Sequence, residues 1–290
     1  MASILDWLLE QRQLLVVIGG ATVSLMALKR LLFPENAVNR LKRKGFPKNK
    51  VILVQVGRGP FAPSLSPFPL KVETYLRMAK IPYQNEHGWY FSSKGKTPFI
   101  LYNGEEIPDS QFIIEFLNKE KGVDLNQHLS AEQKAIARAF LKMTEENLFW
   151  TMVAERLIYL DWESTKRLFP PDARCMLWVF RRRLVNQLWE HGIGRHSREE
   201  VRAIMEKDMR ALSTYLGDKK FFFGDQPCET DCALFGLLAQ FMWQTIGSPQ
   251  EKLMKGELQN LARYCERMRE RYWPDWDQCI THDFTSEAIN

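Results

Sequence analysis

Cysteine is scarce in this chain of 290 residues, and none occurs before residue 175. Cys175, Cys228, Cys232, Cys265 and Cys279 are odd in number and form no Cys-x-x-Cys pair. A chain this long has no need of a disulfide framework, so free thiols in a reducing compartment are expected. Cys228 and Cys232 are four apart and share a helix face, where two small buried thiols are the expectation. His87, His128, His191, His196 and His282 are scattered and complete no zinc set with these cysteines. Internal repeats and low-complexity stretches are also missing, which excludes solenoid, collagen-like and disordered architectures. With 45% apolar and 26% charged residues the composition is that of an ordinary globular protein of one large or two smaller domains. The body has no charge surplus either. The formal charge is +5, but residues 1–50 hold nine Lys/Arg against three acids, a net of +6, which leaves −1 for residues 51–290. A nucleic-acid-binding face would keep its surplus in the folded part, so that class is set aside.

The surplus lies beside an uncharged run. Leu14 to Leu28 reads LLVVIGGATVSLMAL and is followed at once by Lys29-Arg30. As a helix these residues rise about 22 Å, and Leu31, Leu32 and Phe33 extend the span if Lys29 and Arg30 snorkel. A cleaved signal peptide fits poorly, because the front is acidic and the run ends in charges. The expectation is an N-terminal tail (1–13), a single transmembrane anchor (14–33) and a basic linker (34–50). The step in positive charge places the body in the cytosol, and the basic linker lies where anionic lipid would meet it. The organelle stays open, an endoplasmic reticulum or outer mitochondrial membrane being compatible.

In the body, Val51 to Val56 reads as a strand buried on both faces. Gly57 to Pro69, with four prolines and two glycines, is a loop. Helical spacing begins at Leu70, and Ile81-Pro-Tyr83 opens a second extended piece. Thr97 to Tyr102 is a third strand, Asn103-Gly104 a hairpin turn, and Glu105 to Pro108 its partner. Asp109-Ser110 caps a further helix. After Leu125 strand signals stop. Ser130-Ala-Glu-Gln133 and Ser197-x-x-Glu200 are capping boxes. They open helices to about Tyr159 and to Leu216, and Asp172–His191, Thr230–Ile246 and Gly256–Tyr272 are expected helices. Trp178, Phe180 and Trp189 are assigned to the core. The architecture is a small α/β unit over 51–122, an all-α unit over 123–276 and a C-terminal tail over 277–290.

The strand–helix–strand–strand–strand–helix order, the X-Pro opening the third strand and the Asp-Ser pair resemble the glutathione S-transferase fold. That fold joins a thioredoxin-like N-terminal domain to an all-α C-terminal domain. Longer segments resemble the failed axon connections family, metaxin-like members of that superfamily. They are Ser64-Leu-Ser-Pro-Phe-Pro-Leu-Lys-Val-Glu-Thr-Tyr-Leu-Arg-Met78, Ile81-Pro-Tyr-Gln-Asn85, Met205-Glu-Lys-Asp-Met-Arg210, Leu216-Gly-Asp-Lys-Lys220, Lys255-Gly-Glu-Leu258 and Tyr264-Cys-Glu-Arg267. The resemblance runs from about Val51 to Trp276 and implies a role in axonal development. A protein partner or a homodimer through the transferase-like body is compatible with it.

It also implies a glutathione site. Pro98 matches the cis-proline of thioredoxin-like domains, which frees the backbone of Thr97 to pair with an extended peptide. Asp109 and Ser110 match the acid–Ser pair that holds the γ-glutamyl end, although the same residues serve equally as a helix cap. Ser66 stands at the start of the first helix, where redox relatives carry a nucleophilic Cys. Its hydroxyl could favour a glutathione thiolate but cannot form a mixed disulfide. A Ser-Pro helix start without chemistry is the alternative, and Ser64 is a nearby substitute. The connection Trp89–Lys96 is too short for the second helix that shields the glycyl end, with Lys94 or Lys96 the local replacements. Glutathione is the one small molecule implied, and no metal site is. An adaptor with a reduced groove and a working transferase both remain open.

Overall fold

Val51 to Gln55 form β1, the inner strand on which the sheet is built, and all five side chains are buried. The computed structural model describes residues 45, 47–171, 174 and 177–289. The expected tail and anchor (1–33), most of the linker, and Cys175 lie outside the described residues. Among the described residues no helix is long and apolar enough to cross a membrane.

Strand β2 (Tyr83–His87) runs parallel to β1, whereas β3 (Phe99–Tyr102) and β4 (Glu105–Pro108) complete an antiparallel edge, in the order β2-β1-β3-β4. Asn103 and Gly104 both have positive φ (49° and 89°), as a two-residue hairpin between right-twisted strands requires. Helix α1 (Pro67–Met78) opens on proline, and α2 (Ser110–Lys121) ends on Gly122 in the left-handed conformation. Both helices cover one face of the sheet. Val51, Leu53, Ile100 and Tyr102 meet Val72, Tyr75 and Leu76 of α1 and Ile113, Ile114 and Leu117 of α2. Residues 88–98 contain no helix, so the short connection stays a loop. One of its side chains, Trp89, packs edge-on to Phe180, with ring centroids 6.4 Å apart.

The remaining chain is helical. Helix α3 (Ala131–Lys142) continues through a π turn (Met143–Leu148) into α4 (Phe149–Ala154) and a second π turn (Glu155–Tyr159). Then follow α5 (Trp162–Arg167), α6 (Leu177–His191), α7 (Arg198–Leu216), α8 (Glu229–Ala239), α9 (Pro249–Gly256) and α10 (Gln259–Tyr272). Both expected capping boxes, at Ser130/Gln133 and Ser197/Glu200, are closed in both directions. Helices α5 and α9 were not expected: both are short, and periodicity needs more turns than they supply. Trp178 and Trp189 correct the core assignment, each being 59% exposed.

Helix α8 locks the two parts together. A Cβ on Gly236 would lie 2.7 Å from the Pro67 carbonyl oxygen, so only glycine lets α8 come this close to the start of α1. Cys228 is the N-cap residue of α8, but the capping is done by Asp231. Its buried carboxylate accepts from the Cys228 and Phe222 N–H groups at 2.8 and 3.2 Å. Thr230 directs its hydroxyl to the Ala137 carbonyl.

A buried ionic network braces the loop ahead of α1. Glu73, in the middle of α1, has no exposure and takes a two-pronged contact from Arg58 at 2.8 and 2.9 Å. Gln55, Tyr83 and Asn85 donate to the same carboxylate at 2.9, 3.0 and 3.0 Å. Desolvation alone would raise its pKa, but Arg58 and these donors hold it below the ordinary glutamate value. Arg58 also donates to the carbonyls of Pro63 and Ile289, and Thr281 N–H reaches the Gly59 carbonyl, so the C-terminal residues close over the loop. Glu73→Gln would leave Arg58 buried without a counter-charge and cost about 3–5 kcal/mol in urea unfolding. The depressed pKa contributes stability above pH 4.5, the ordinary value, and loses it as pH falls through the folded one. The variant's unfolding free energy should therefore change less than the wild type's in that acid range.

Candidate functional site

Strand register gathers two of the implied site segments at one end of the sheet. Val54, near the end of β1, pairs with Phe99, and Phe99 pairs with Pro108. Thr97-Pro98 and Asp109-Ser110 therefore flank the same edge, and the Thr97–Pro98 bond is cis. The buried hydroxyl of Thr97 has no hydrogen-bond partner.

Asp109 is the N-cap of α2 and accepts from the Gln111 N–H at 3.0 Å. Its backbone stands at φ 80°, ψ 126°, a region sparsely populated by non-glycine residues that costs about 1–3 kcal/mol. Its other carboxylate oxygen is 2.7 Å from the Lys96 ammonium. Desolvation would raise this carboxyl, but the Lys96 and Gln111 donors hold it below its ordinary value. The acid that would meet an α-ammonium thus already holds one from its own chain. Ser110 is buried directly behind it. Lys94, the other expected replacement, lies 5.2 Å over the ring of Phe112.

Ser66 is the N-cap residue of α1, but its side chain makes no cap hydrogen bond. Its N–H donates to the Ser64 hydroxyl at 3.2 Å. Ser64 is itself fully buried, which removes it as a substitute at an open groove. From the helical part, Arg156 donates to the Leu65 carbonyl and to Gln240 and Thr245 oxygens, which pins the loop carrying Ser66. Burial pushes the Arg156 guanidinium down to about 9.

Sequence reasoning missed what lies beside Ser66. Lys71, only 1% exposed, reaches across to Gln111 of α2 at 2.9 Å and to Glu145 of the first π turn at 2.7 Å. The crevice that Lys71 and Glu145 share with Pro67, Phe68 and Thr144 has a volume of about 10 Å³, no more than one water occupies. Nothing local signals this bridge, whose ends are 74 residues apart. Among the described residues no group of three His, Cys, Asp or Glu side chains could hold a metal ion.

A thioredoxin-like sheet domain with a cis-proline edge, followed by a helical domain, is the fold of the glutathione S-transferases. Residues 67–162 match the glutathione S-transferase N-terminal domain, and residues 205–268 the C-terminal domain. Among solved structures, a glutathione S-transferase of Methylobacterium radiotolerans in complex with glutathione sulfonate is 14% identical. It aligns over 83% of this chain and 98% of its own, with a TM-score of 0.54. Failed axon connections of Drosophila melanogaster is 35% identical over 82% of this chain, which spans 62% of that relative's length. The isoprene-epoxide–glutathione S-transferase of Rhodococcus is 33% identical over 72% of this chain and 94% of its own. Mouse metaxin-2 is 25% identical over 80% and 91%. The chain belongs to the failed axon connections family, metaxin-like members of the glutathione S-transferase superfamily.

The occupied acid can be tested directly. In Lys96→Ala the Asp109 carboxyl should move up towards its ordinary value of 3.8, read by carboxyl NMR titration. Because Lys96 is largely exposed, unfolding free energy should change by less than about 1 kcal/mol.

Proposed function

We propose that this protein is a membrane-anchored adaptor built on a glutathione S-transferase body, in which the inherited groove serves binding rather than turnover. The observation that carries this reading is the Lys96–Asp109 pair, because a γ-glutamyl ammonium would have to displace a resident one. The buried Lys71–Glu145 bridge near the start of α1 supports it, since the crevice it lines holds about 10 Å³, no more than one water occupies. The expected anchor 14–33, with its uncharged run Leu14–Leu28, and the basic residues from Lys29 onward supply the single-pass attachment and the cytosolic orientation. Similarity to failed axon connections supports a role in axonal development, and similarity to metaxins supports a protein partner, or a second copy, at the body.

The rival reading is a glutathione-dependent transferase acting on an electrophile. It rests on the isoprene-epoxide–glutathione S-transferase relative and on the survival of Thr97, Pro98, Asp109 and Ser110 at one sheet edge. Ser66 would then orient the thiolate, Thr97 would pair with the cysteinyl backbone, and Asp109 with Ser110 would hold the γ-glutamyl group. Calorimetric titration of the full chain in detergent with millimolar glutathione separates the two. The adaptor predicts no saturable heat and no thermal shift. Saturable binding abolished by Ser110→Ala would establish the transferase site instead. The anchor has its own test: residues 1–50 fused to a reporter should retain it at a membrane with the reporter facing the cytosol. A soluble product or a lumenal reporter would overturn that part.

A further inference from the structure

Helix α6 (Leu177–His191) turns large apolar side chains to solvent. Trp178 and Trp189 are each 59% exposed, and Val179 is 52% exposed. They are eleven residues apart, three helical turns, so both tryptophans project from one side about 16 Å apart along the axis. Arg182 lies on that side between them and Arg183 next to it, both exposed. The helix carries three arginines against the single acid Glu190. Each tryptophan also has a guanidinium nearby, Arg182 at 5.8 Å from the Trp178 ring and Arg195 at 5.3 Å from the Trp189 ring. Trp162 of the preceding α5 is a third exposed tryptophan, at 41%. Apolar side chains of this size are normally buried or covered.

We infer that α6 is a second membrane contact, which lies flat on a bilayer containing anionic phospholipid. The charge decides the occupant. The body as a whole is near neutral, yet this one helix sets three arginines between two exposed tryptophans, against one acid. Tryptophan, with an apolar ring and one N–H donor, prefers the depth of the headgroups. The arginines between the tryptophans would meet lipid phosphates, each adding roughly fivefold in affinity near the surface. A helix with this pattern lies in the interface plane rather than crossing it. The contact is separate from the anchor at 14–33 and would fix the orientation of the body rather than its attachment.

The test uses the full chain in vesicles whose acyl chains are brominated near the headgroup, so that tryptophans at that depth are quenched. Vesicles of phosphatidylcholine are compared with vesicles that also contain phosphatidylserine. An anchor holds the chain to both, so only the increment due to phosphatidylserine reports on α6. The expected result is greater quenching in the anionic vesicles, lost in the Trp178→Ala/Trp189→Ala double variant and lost at high salt. Arg182→Gln/Arg183→Gln keeps both tryptophans and should lose the same increment. Equal quenching in wild type and both variants would overturn the proposal. So would a wild-type dimer, seen by light scattering, that becomes monomeric in the tryptophan variant while quenching stays unchanged. That result would assign the face to a second copy.

Discussion

The carboxylate of Glu73 is the point on which the α/β unit and the C-terminal residues converge. It is wholly buried on α1 and carries charge that the interior tolerates only with a full set of donors. Arg58 supplies two of these, from the loop between β1 and α1, and Gln55, Tyr83 and Asn85 supply the rest from β1 and β2. Because Arg58 also grips the Ile289 carbonyl, the same ion pair decides where the C-terminal residues lie. Arg77, one turn along α1, repeats the arrangement with Asp275 and stacks on Trp273 at 3.8 Å. The helix that opens at Ser66 is thus held by charge on its sheet side and by the close approach of Gly236 on the other.

That bracing extends to the loop that carries Ser66 and to the start of α1. Arg156 holds the loop at Leu65 from the helical part, and Lys71 spans from α1 to both α2 and the π turn. The π turn is what brings Glu145 to Lys71: one extra residue in a helical turn re-aims the side chains that follow. Thr97, Pro98, Asp109 and Ser110 lie at one end of the sheet, and the Lys71–Glu145 bridge fills a crevice near the start of α1. Between β2 and β3 residues 88–98 form a loop without a helix.

Much of this was legible in local chemistry. The hairpin at Asn103-Gly104, the two capping boxes and the strand β1 depend on residues within a few positions of one another, and each formed as read. Asp109 at the start of α2 belongs to the same class. Where the reading failed, the controlling partner was distant. Trp178 and Trp189 have core chemistry but sit on a helix that buries little beyond Leu177 and Leu188. The ordinary-looking Lys71 became a buried bridge through a residue far along the chain.

The sequence by itself determined the class of fold, the family and the charge split between residues 1–50 and the body. These depend on periodicity, short motifs and counting, which survive without coordinates. Only the tertiary structure decided that Asp109 already holds a partner and that Lys71 is buried as a bridge. Those answers lie in the approach of Lys96 to Asp109 and of Glu145 to Lys71. Side chains separated along the chain are brought together by packing alone, and no local pattern records which of them will meet.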